Sequence, residues 1–506
     1  MTAPAIELTD IDKRFGAVHA NRRVNLIVRK GSVHGIVGEN GAGKSTLMSI
    51  LYGFYEADSG VIRIDGKQLR IRSSADAIRA GIGMVHQHFM LVEPMSVIEN
   101  VILGAEASGM LAPSLAAARG TMRRLADDYG LIVDPDAIVG ELSVGQQQRV
   151  EIIKALAREA EILILDEPTS VLTPPEAEQL FRMIQVLKQR GKTVILITHK
   201  LKEIMAATDW VSVMRRGEMV TTLETQGTSP PELAEAMVGR RVLLSVEKLP
   251  RQPGPVVLSV DNLTVRDSKG VTRLDGVSFD LRGGEIVGIA GVAGNGQTEL
   301  LEALAGMRRL ASGRIELGGV DITAMNAAER RSMRLLHVPE DRQRSGLVMP
   351  FDASESGILG HHYERRLGEG LFFDRAAVRR DMAEKMQAYD VRPPNCDLKS
   401  ANFSGGNQQK IVLAREIERA PRVLLIGQPT RGVDIGAIEF IHQRIVDLRD
   451  QGVAVLVVSV ELDEIMSLAD RILVMCGGRI TGERKPAETN GQDLGLLMAG
   501  VTERAA

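Results

Sequence analysis

Gly38, Gly41, Gly43, Lys44 and Ser45 fall in the run Gly38-Glu39-Asn40-Gly41-Ala42-Gly43-Lys44-Ser45-Thr46, at the spacing G-x-x-x-x-G-K-S. That spacing suits phosphate chemistry. The glycines let backbone N–H groups close around phosphate oxygens, Lys44 can reach the β- and γ-phosphates, and the Ser45 hydroxyl is placed for Mg²⁺. A second chemical group follows in Ile162-Leu163-Ile164-Leu165-Asp166-Glu167-Pro168-Thr169, an apolar run that ends in two carboxylates. Asp166 can hold magnesium through water, and Glu167 can polarise an attacking water as a general base. A glycine turn or a solvated acid pair is unremarkable alone. In this order the two point to cleavage of a bound nucleotide's phosphates.

Such groups need a rigid frame. Val33 to Val37 reads as a strand feeding the glycine loop, and the helix opening at Thr46-Leu47-Met48-Ser49-Ile50 adds the partial positive charge of its N-terminus. Ile162 to Leu165 and Thr193 to Ile197 are β-branched and leucine-rich runs of buried parallel-strand character. Helical spacing lies between them, at Glu151 to Arg158 and Pro175 to Gln189. Strands alternating with helices predict an α/β fold with a mostly parallel sheet covered on both faces.

The pattern occurs twice. Gly291-Val292-Ala293-Gly294-Asn295-Gly296-Gln297-Thr298 repeats the glycine loop at an offset of 253, which also relates Glu340 to Gln87. Ser404, Gly427, Val460 and Met498 repeat Ser143, Asp166, His199 and Met237 at an offset of 261. Eight extra residues therefore fall between about 341 and 403, outside the nucleotide-binding elements. The expected division is 1–245 and 256–506, joined by a proline-rich connector over 246–255.

Leu142-Ser143-Val144-Gly145-Gln146, just ahead of a helix running to about Arg158, completes the set. With the loop at 38–46 and the strand at 162–169, it resembles the signature of ATP-binding cassette (ABC) proteins, over nearly the whole chain. The resemblance implies two tandem nucleotide-binding domains, each a RecA-like core with an antiparallel part and a helical subdomain, binding ATP and Mg²⁺. It implies that Gln87 is the glutamine that senses Mg²⁺ and meets the transporter partner, His199 the histidine on the γ-phosphate, and Phe15 the aromatic stacked on adenine. It further implies that the signature of one cassette closes over ATP held by the other.

On that pairing the losses gather in one site. The second copy has Gln297 for the loop lysine, Gly427-Gln428 for the two carboxylates and Val460 for the histidine, while Glu340 stands at the glutamine position. Its loop, with Gly291, Gly296 and Thr298, would face Ser143-Val144-Gly145, where valine replaces a glycine. The intact first loop would face Ser404-Gly405-Gly406-Asn407, with Asp434 nearby in Thr430-Arg431-Gly432-Val433-Asp434. Glutamine cannot take a proton from water, so hydrolysis is expected only at the first.

Val338-Pro339-Glu340-Asp341-Arg342, Ser404-Gly405-Gly406-Asn407-Gln408-Gln409-Lys410 and Gln428-Pro429-Thr430-Arg431-Gly432 are similar to one branch, the fused tandem ATPase subunits of bacterial importers for simple sugars or nucleosides. Val85-His86-Gln87-His88-Phe89-Met90-Leu91 leans towards the nucleoside type. That branch implies two transmembrane permease subunits as partners, a periplasmic or lipid-anchored substrate-binding protein beyond them, and a peripheral place on the cytoplasmic face of the cell membrane. The apolar stretch His88 to Leu103 and the helical segments near 88–140 and 341–402 are where a permease would dock. Soluble tandem ATPases acting on ribosomes or DNA are the other class. Those acting on ribosomes usually carry two working sites and a long charged linker, and the DNA-repair type cysteine-rich zinc inserts, unlike this chain with its two scattered cysteines.

Bulk properties agree. Basic and acidic residues nearly cancel (62 against 65), which gives no electrostatic reason to expect nucleic acid as a partner. Cys396 and Cys476 stand alone with no metal-ligand spacing. The first residues lack the basic-then-apolar pattern of a signal peptide, and the longest apolar runs are far short of the roughly 18 residues of a membrane span.

Overall fold

The computed structural model describes residues 3–16, 18–86, 89–104, 111–169, 172, 174–198, 200–241, 248–292, 294–364, 367–368, 372–433 and 435–501. The chain divides into two compact units, Met1–Val242 and Leu243–Ala506.

In the first unit a six-stranded sheet has the order Ile82–Val85, Ile162–Asp166, Thr193–Ile197, Val33–Gly38, Trp210–Arg215, Glu218–Glu224, with only the last pair antiparallel. Three of the parallel strands, Val33–Gly38, Ile162–Asp166 and Thr193–Ile197, are buried at every residue. Burial on both faces is what their near-continuous apolar sequence requires. Because these strands are parallel, their carboxyl ends bring the glycine loop, the Asp166-Glu167 pair and Thr198 to one edge, the usual place for a ligand in such a sheet.

A separate antiparallel sheet pairs Ile6–Phe15 with Val18–Val28 and with Ser59–Ile64, which in turn pairs Lys67–Leu69. Its apolar face and that of the main sheet enclose the helix Lys44–Leu51, with Leu47, Met48, Ile50 and Leu51 fully buried. Helices Val97–Ile102, Leu111–Tyr129 and Val144–Ala157 form the helical part.

The second unit repeats this plan. Its main sheet runs Leu335–Val338, Val423–Gly427, Ala454–Ser459, Ile286–Ala290, Arg471–Cys476, Arg479–Arg484, and its helical part holds Arg375–Ala388 and Gly405–Ile417. Residues 248–251 of the expected connector are fastened to this unit. Lys248 Nζ donates to the Leu468 and Ala469 carbonyls at 2.9 and 2.6 Å and pairs with Asp470 at 2.8 Å, and Arg449 donates to the Leu249 carbonyl at 2.8 Å.

Two imidazoles, one buried at His34 and one half-buried at His337, make stability depend on pH. Burial holds both His34, which bonds Ser212 Oγ at 2.8 Å, and His337 down at about 4. A group whose pKa falls on folding leaves the native state with fewer bound protons than the unfolded chain between about 4 and 6.5, so stability should fall as pH drops through that window. Asp166, pushed up to about 6 mainly by burial, acts in the opposite sense between 3.8 and 6. Two histidines outweigh it. Thermal unfolding midpoints should drop between pH 7 and 5. His337→Met, which installs the residue found at the equivalent position Met84, should flatten the slope for the second unit; an unchanged slope would refute the assignment.

Candidate functional site

The first glycine loop leaves the strand Val33–Gly38 and enters the helix Lys44–Leu51 through Gly43, whose φ of 99° lies in the left-handed region. A Cβ there would come within 2.3 Å of the Ala20 carbonyl, so glycine is required for space as well as for conformation. Asn21 Nδ2 donates to the Gly43 carbonyl at 3.1 Å, and the Gly217 N–H donates to the Ala42 carbonyl at 3.0 Å. These bonds hold the loop from both sides. Lys44 is buried, with Nζ donating to the Gly38 and Glu39 carbonyls at 2.7 and 3.0 Å. Asn40, Gly41 and Ser45 lie on the exposed side of the loop, with Ala42 buried and Thr46 half-buried beneath it.

The Ser45 hydroxyl lies near enough to Asp166 to favour its charged form. Burial, then the neighbouring Glu167 charge, push the Asp166 carboxyl up to about 6, against the pull of Lys44 and Ser45. A desolvated carboxylate beside a second one and a hydroxyl is a hard oxygen donor set short of positive charge, which fits Mg²⁺. The bound ion would neutralise charge developing on the phosphates. Glu167 follows at φ 46°, its N–H donating to the Ile197 carbonyl at 2.9 Å. This bond ties the second carboxylate to the strand that leads to Thr198.

The second loop has the same backbone and different chemistry. Gly296 repeats Gly43 with φ 101°. Gln297 is buried like Lys44, but its Nε2 donates to the Val292 carbonyl at 3.0 Å while its Oε1 accepts the Asn295 N–H at 3.1 Å. The amide is used up inside the loop. Thr298 Oγ1 donates to Glu340 at 2.5 Å, so the carboxylate partner of the loop hydroxyl comes from Glu340 in place of Asp166. Burial raises the Glu340 carboxyl. A Cβ on Gly427 would meet Glu340 Cγ at 2.4 Å and its backbone N at 2.9 Å. The two substitutions are therefore linked: Glu340 fills the space that an aspartate at 427 would need. Gln428 keeps the backbone of Glu167, at φ 48° with its N–H on the Val458 carbonyl at 2.7 Å, and its Oε1 accepts the Val460 N–H at 3.4 Å.

Both signature serines are helix N-caps. Ser143 Oγ accepts the Gln146 N–H at 3.3 Å, and Gln146 returns a bond to the Ser143 N–H at 3.0 Å. Ser404 Oγ accepts from the Asn407 backbone at 3.5 Å and from Asn407 Nδ2 at 2.9 Å. Each serine thus starts its helix with Gly145 or Gly405-Gly406 in the first turn, where N–H groups lack intrahelical partners and can meet an anion. Phe15 is 41% exposed at the end of its strand, with its ring edge-on to Tyr55 at 5.0 Å and Lys13 Nζ 5.5 Å from its centroid. Gln87, His199 and Asp434 lie outside the described residues.

Sequence reasoning missed the groups that brace the catalytic strand end. Glu203 accepts from Thr198 Oγ1 at 2.8 Å and from Thr169 Oγ1, and Gln148 Nε2 donates to the Pro168 carbonyl at 2.8 Å. A signal existed. Thr169, Gln148 and Glu203 recur at the same 261-residue offset as Thr430, Gln409 and Glu464.

The family profile described as ABC transporter matches residues 21–170 and again 274–431. The chain is 47% identical over 495 residues to the nucleoside import ATP-binding protein NupA of Lactococcus lactis, covering 98% of each. It is 45% identical to the guanosine import ATP-binding protein NupO of Bacillus subtilis, over 99% of this chain and 98% of that one. The ribose import ATP-binding protein RbsA 1 of Rubrobacter xylanophilus is 40% identical over 98% of each. With the profile matched in both units and relatives of this similarity along nearly the full length, the chain belongs to the ABC transporter family as an ATPase coupled to transport.

Proposed function

We propose that this chain is the ATP-hydrolysing subunit of an importer for nucleosides or simple sugars, with one working site and one that does not hydrolyse. The working site joins Lys44, Ser45, Asp166 and Glu167 of the first unit to Ser404, Gly405 and Gly406 of the second. Mg²⁺ is held by Ser45 and Asp166 and sensed by Gln87, while His199 contacts the γ-phosphate and Asp434 completes the loop beside it. The second site joins Gln297, Thr298 and Glu340 to Ser143 and Gly145. The observation that carries this reading is the pair of loops with matching backbones, one with a lysine and two carboxylates at its rim, the other with Gln297, Gly427 and Gln428.

ATP binding at the working site draws the units together, and hydrolysis releases them. The transported molecule passes through partner chains, two permease subunits supplied by a substrate-binding protein; among the described residues no helix is long and apolar enough to cross a membrane. Docking through the helical parts puts the chain at the cytoplasmic face of the membrane as a peripheral subunit. The cargo is a nucleoside or a simple sugar, since the relatives named for nucleoside, guanosine and glucose import are 47%, 45% and 44% identical to this chain.

The pairing has a direct test in the signature serines. Ser404→Ala should cut steady-state ATPase of the assembled transporter by roughly tenfold or more, and Ser143→Ala by less than about threefold, since only the first removes a group from the reacting phosphate. Equal losses would sink the pairing. Uptake of labelled guanosine by cells lacking this chain, against labelled ribose, decides the cargo.

A further inference from the structure

Glu340 and Arg342 stand two residues apart, on a turn that touches two pieces of machinery. Glu340 holds Thr298 of the second phosphate loop. The Arg342 guanidinium lies against the start of the helix Gly405–Ile417: Nη1 donates to the Arg431 carbonyl at 2.6 Å, Nη2 to the Gly432 carbonyl at 3.5 Å and Nε to Gln408 Oε1 at 3.4 Å. Gln343 Nε2 reaches the same Gln408 oxygen at 3.2 Å, and Gln408 Nε2 donates to the Ser400 carbonyl at 3.0 Å. A Cβ on Gly405 would come within 2.4 Å of Arg342 Nη2 and 2.7 Å of the Gly432 carbonyl, so the signature glycine is packed directly on this contact.

The turn itself is firm. Asp341 Oδ1 accepts the N–H groups of Gln343 and Arg344 at 3.0 Å each, and Arg342–Gly346 forms a single π-helical turn closed by the Leu347 N–H on the Arg342 carbonyl at 2.8 Å. Short π-helical turns are frequent at functional sites. In the first unit Val144 occupies the place of Gly405, and Gln147 donates to the Val139 and Leu142 carbonyls at 3.2 Å each. The arginine contact belongs to the unit whose signature, on the reading above, serves the working site.

We propose that Arg342 is a positioning residue for ATP cleavage. It locks Ser404-Gly405 to the loop Thr430-Gly432, and through Glu340 it makes that register answer to the second phosphate loop. This rests on the composite pairing proposed above. The Arg342 guanidinium satisfies carbonyls of one loop and a side-chain oxygen of the signature helix together, which a fork of fixed donors does and a single ammonium does only in part. A signature loop displaced by a fraction of an ångström would still allow ATP to bind the first loop but would lose alignment for the reaction.

The test uses the full chain assembled with its permease, comparing Arg342→Ala, Arg342→Lys, Glu340→Ala and the Glu340→Ala/Arg342→Ala pair. Arg342→Ala should lower kcat by about tenfold or more with ATP affinity within about twofold, and Arg342→Lys should recover part of kcat, because misplacement costs reaction geometry before it costs binding. Glu340→Ala should lower kcat less, and the double variant should be no worse than Arg342→Ala alone, since both act through one turn. A kcat within about twofold of the parent for Arg342→Ala, or effects of the two single changes that multiply, would overturn the inference. So would equal falls of affinity and kcat that Arg342→Lys does not repair, because general loss of structure then explains them. Ser404→Ala separates the two levels. If it leaves kcat unchanged, the pairing fails; if it disables the transporter while Arg342→Ala does not, only the present inference fails.

Discussion

Glu167→Gln should abolish steady-state ATP turnover of the assembled transporter, while Gln428→Ala leaves most of it. The two residues occupy equivalent strand ends with the same left-handed φ and the same N–H bond to the neighbouring strand, so the comparison isolates side-chain chemistry. Losing a positioned general base typically costs about 10²–10⁴ in rate, and the amide keeps the shape of the carboxylate, so ATP should still bind. ATP should bind at least as well, since the substitution removes a negative charge from beside the phosphates. Phosphate release at saturating ATP and Mg²⁺ is the measurement. Comparable losses from both substitutions would refute the division into one working and one silent site.

Exchanging the loop residues should exchange affinities. Lys44→Gln removes a buried ammonium whose partners include two loop carbonyls. The charge-assisted contact with phosphate that it would otherwise make is worth roughly 1.5–3 kcal/mol, and a loss of that size raises the dissociation constant at the first loop about ten- to a hundredfold. Gln297→Lys runs the other way. It should raise nucleotide stoichiometry at a fixed ATP concentration without raising turnover, because Gln428 cannot act as base. Calorimetric titration with ATP and Mg²⁺ reads both. Affinity within about twofold after Lys44→Gln would mean that the backbone N–H groups alone hold the phosphates.

Much of the architecture was legible because each element carried its own local signal. The strands at 162 and 193 are buried on both faces and apolar throughout, and the glycine loop falls between strand and helix as its spacing demands. The repeat offsets then carried the glycine loop, the signature serine and the carboxylate strand end to the second unit. What stayed hidden were contacts set by three-dimensional packing. That Glu340 replaces an aspartate at 427, and that Gly405 makes room for Arg342, follows from distances between residues 63 or more positions apart, which no periodicity records. The two imidazoles were equally invisible, since nothing near His34 or His337 marks a titrating group. The connector was read from its prolines; its fastening through Lys248 and Leu249 depends on Asp470 and Arg449, some 200 residues away.

The left-handed backbone at Gln428 has outlived the chemistry that would justify it. A non-glycine residue in that region costs of order 1 kcal/mol and persists only where its surroundings enforce it, and here the peptide remains clamped to the Val458 carbonyl. On the division proposed above, the second half is an engine with its mounts intact and its spark removed. On that division, reviving it calls for side-chain exchanges at 297, 340, 427, 428 and 460, a glycine at 144, and room for a Cβ at 427 beside the Glu340 backbone, which makes this protein a starting point for building a transporter that burns fuel on both strokes.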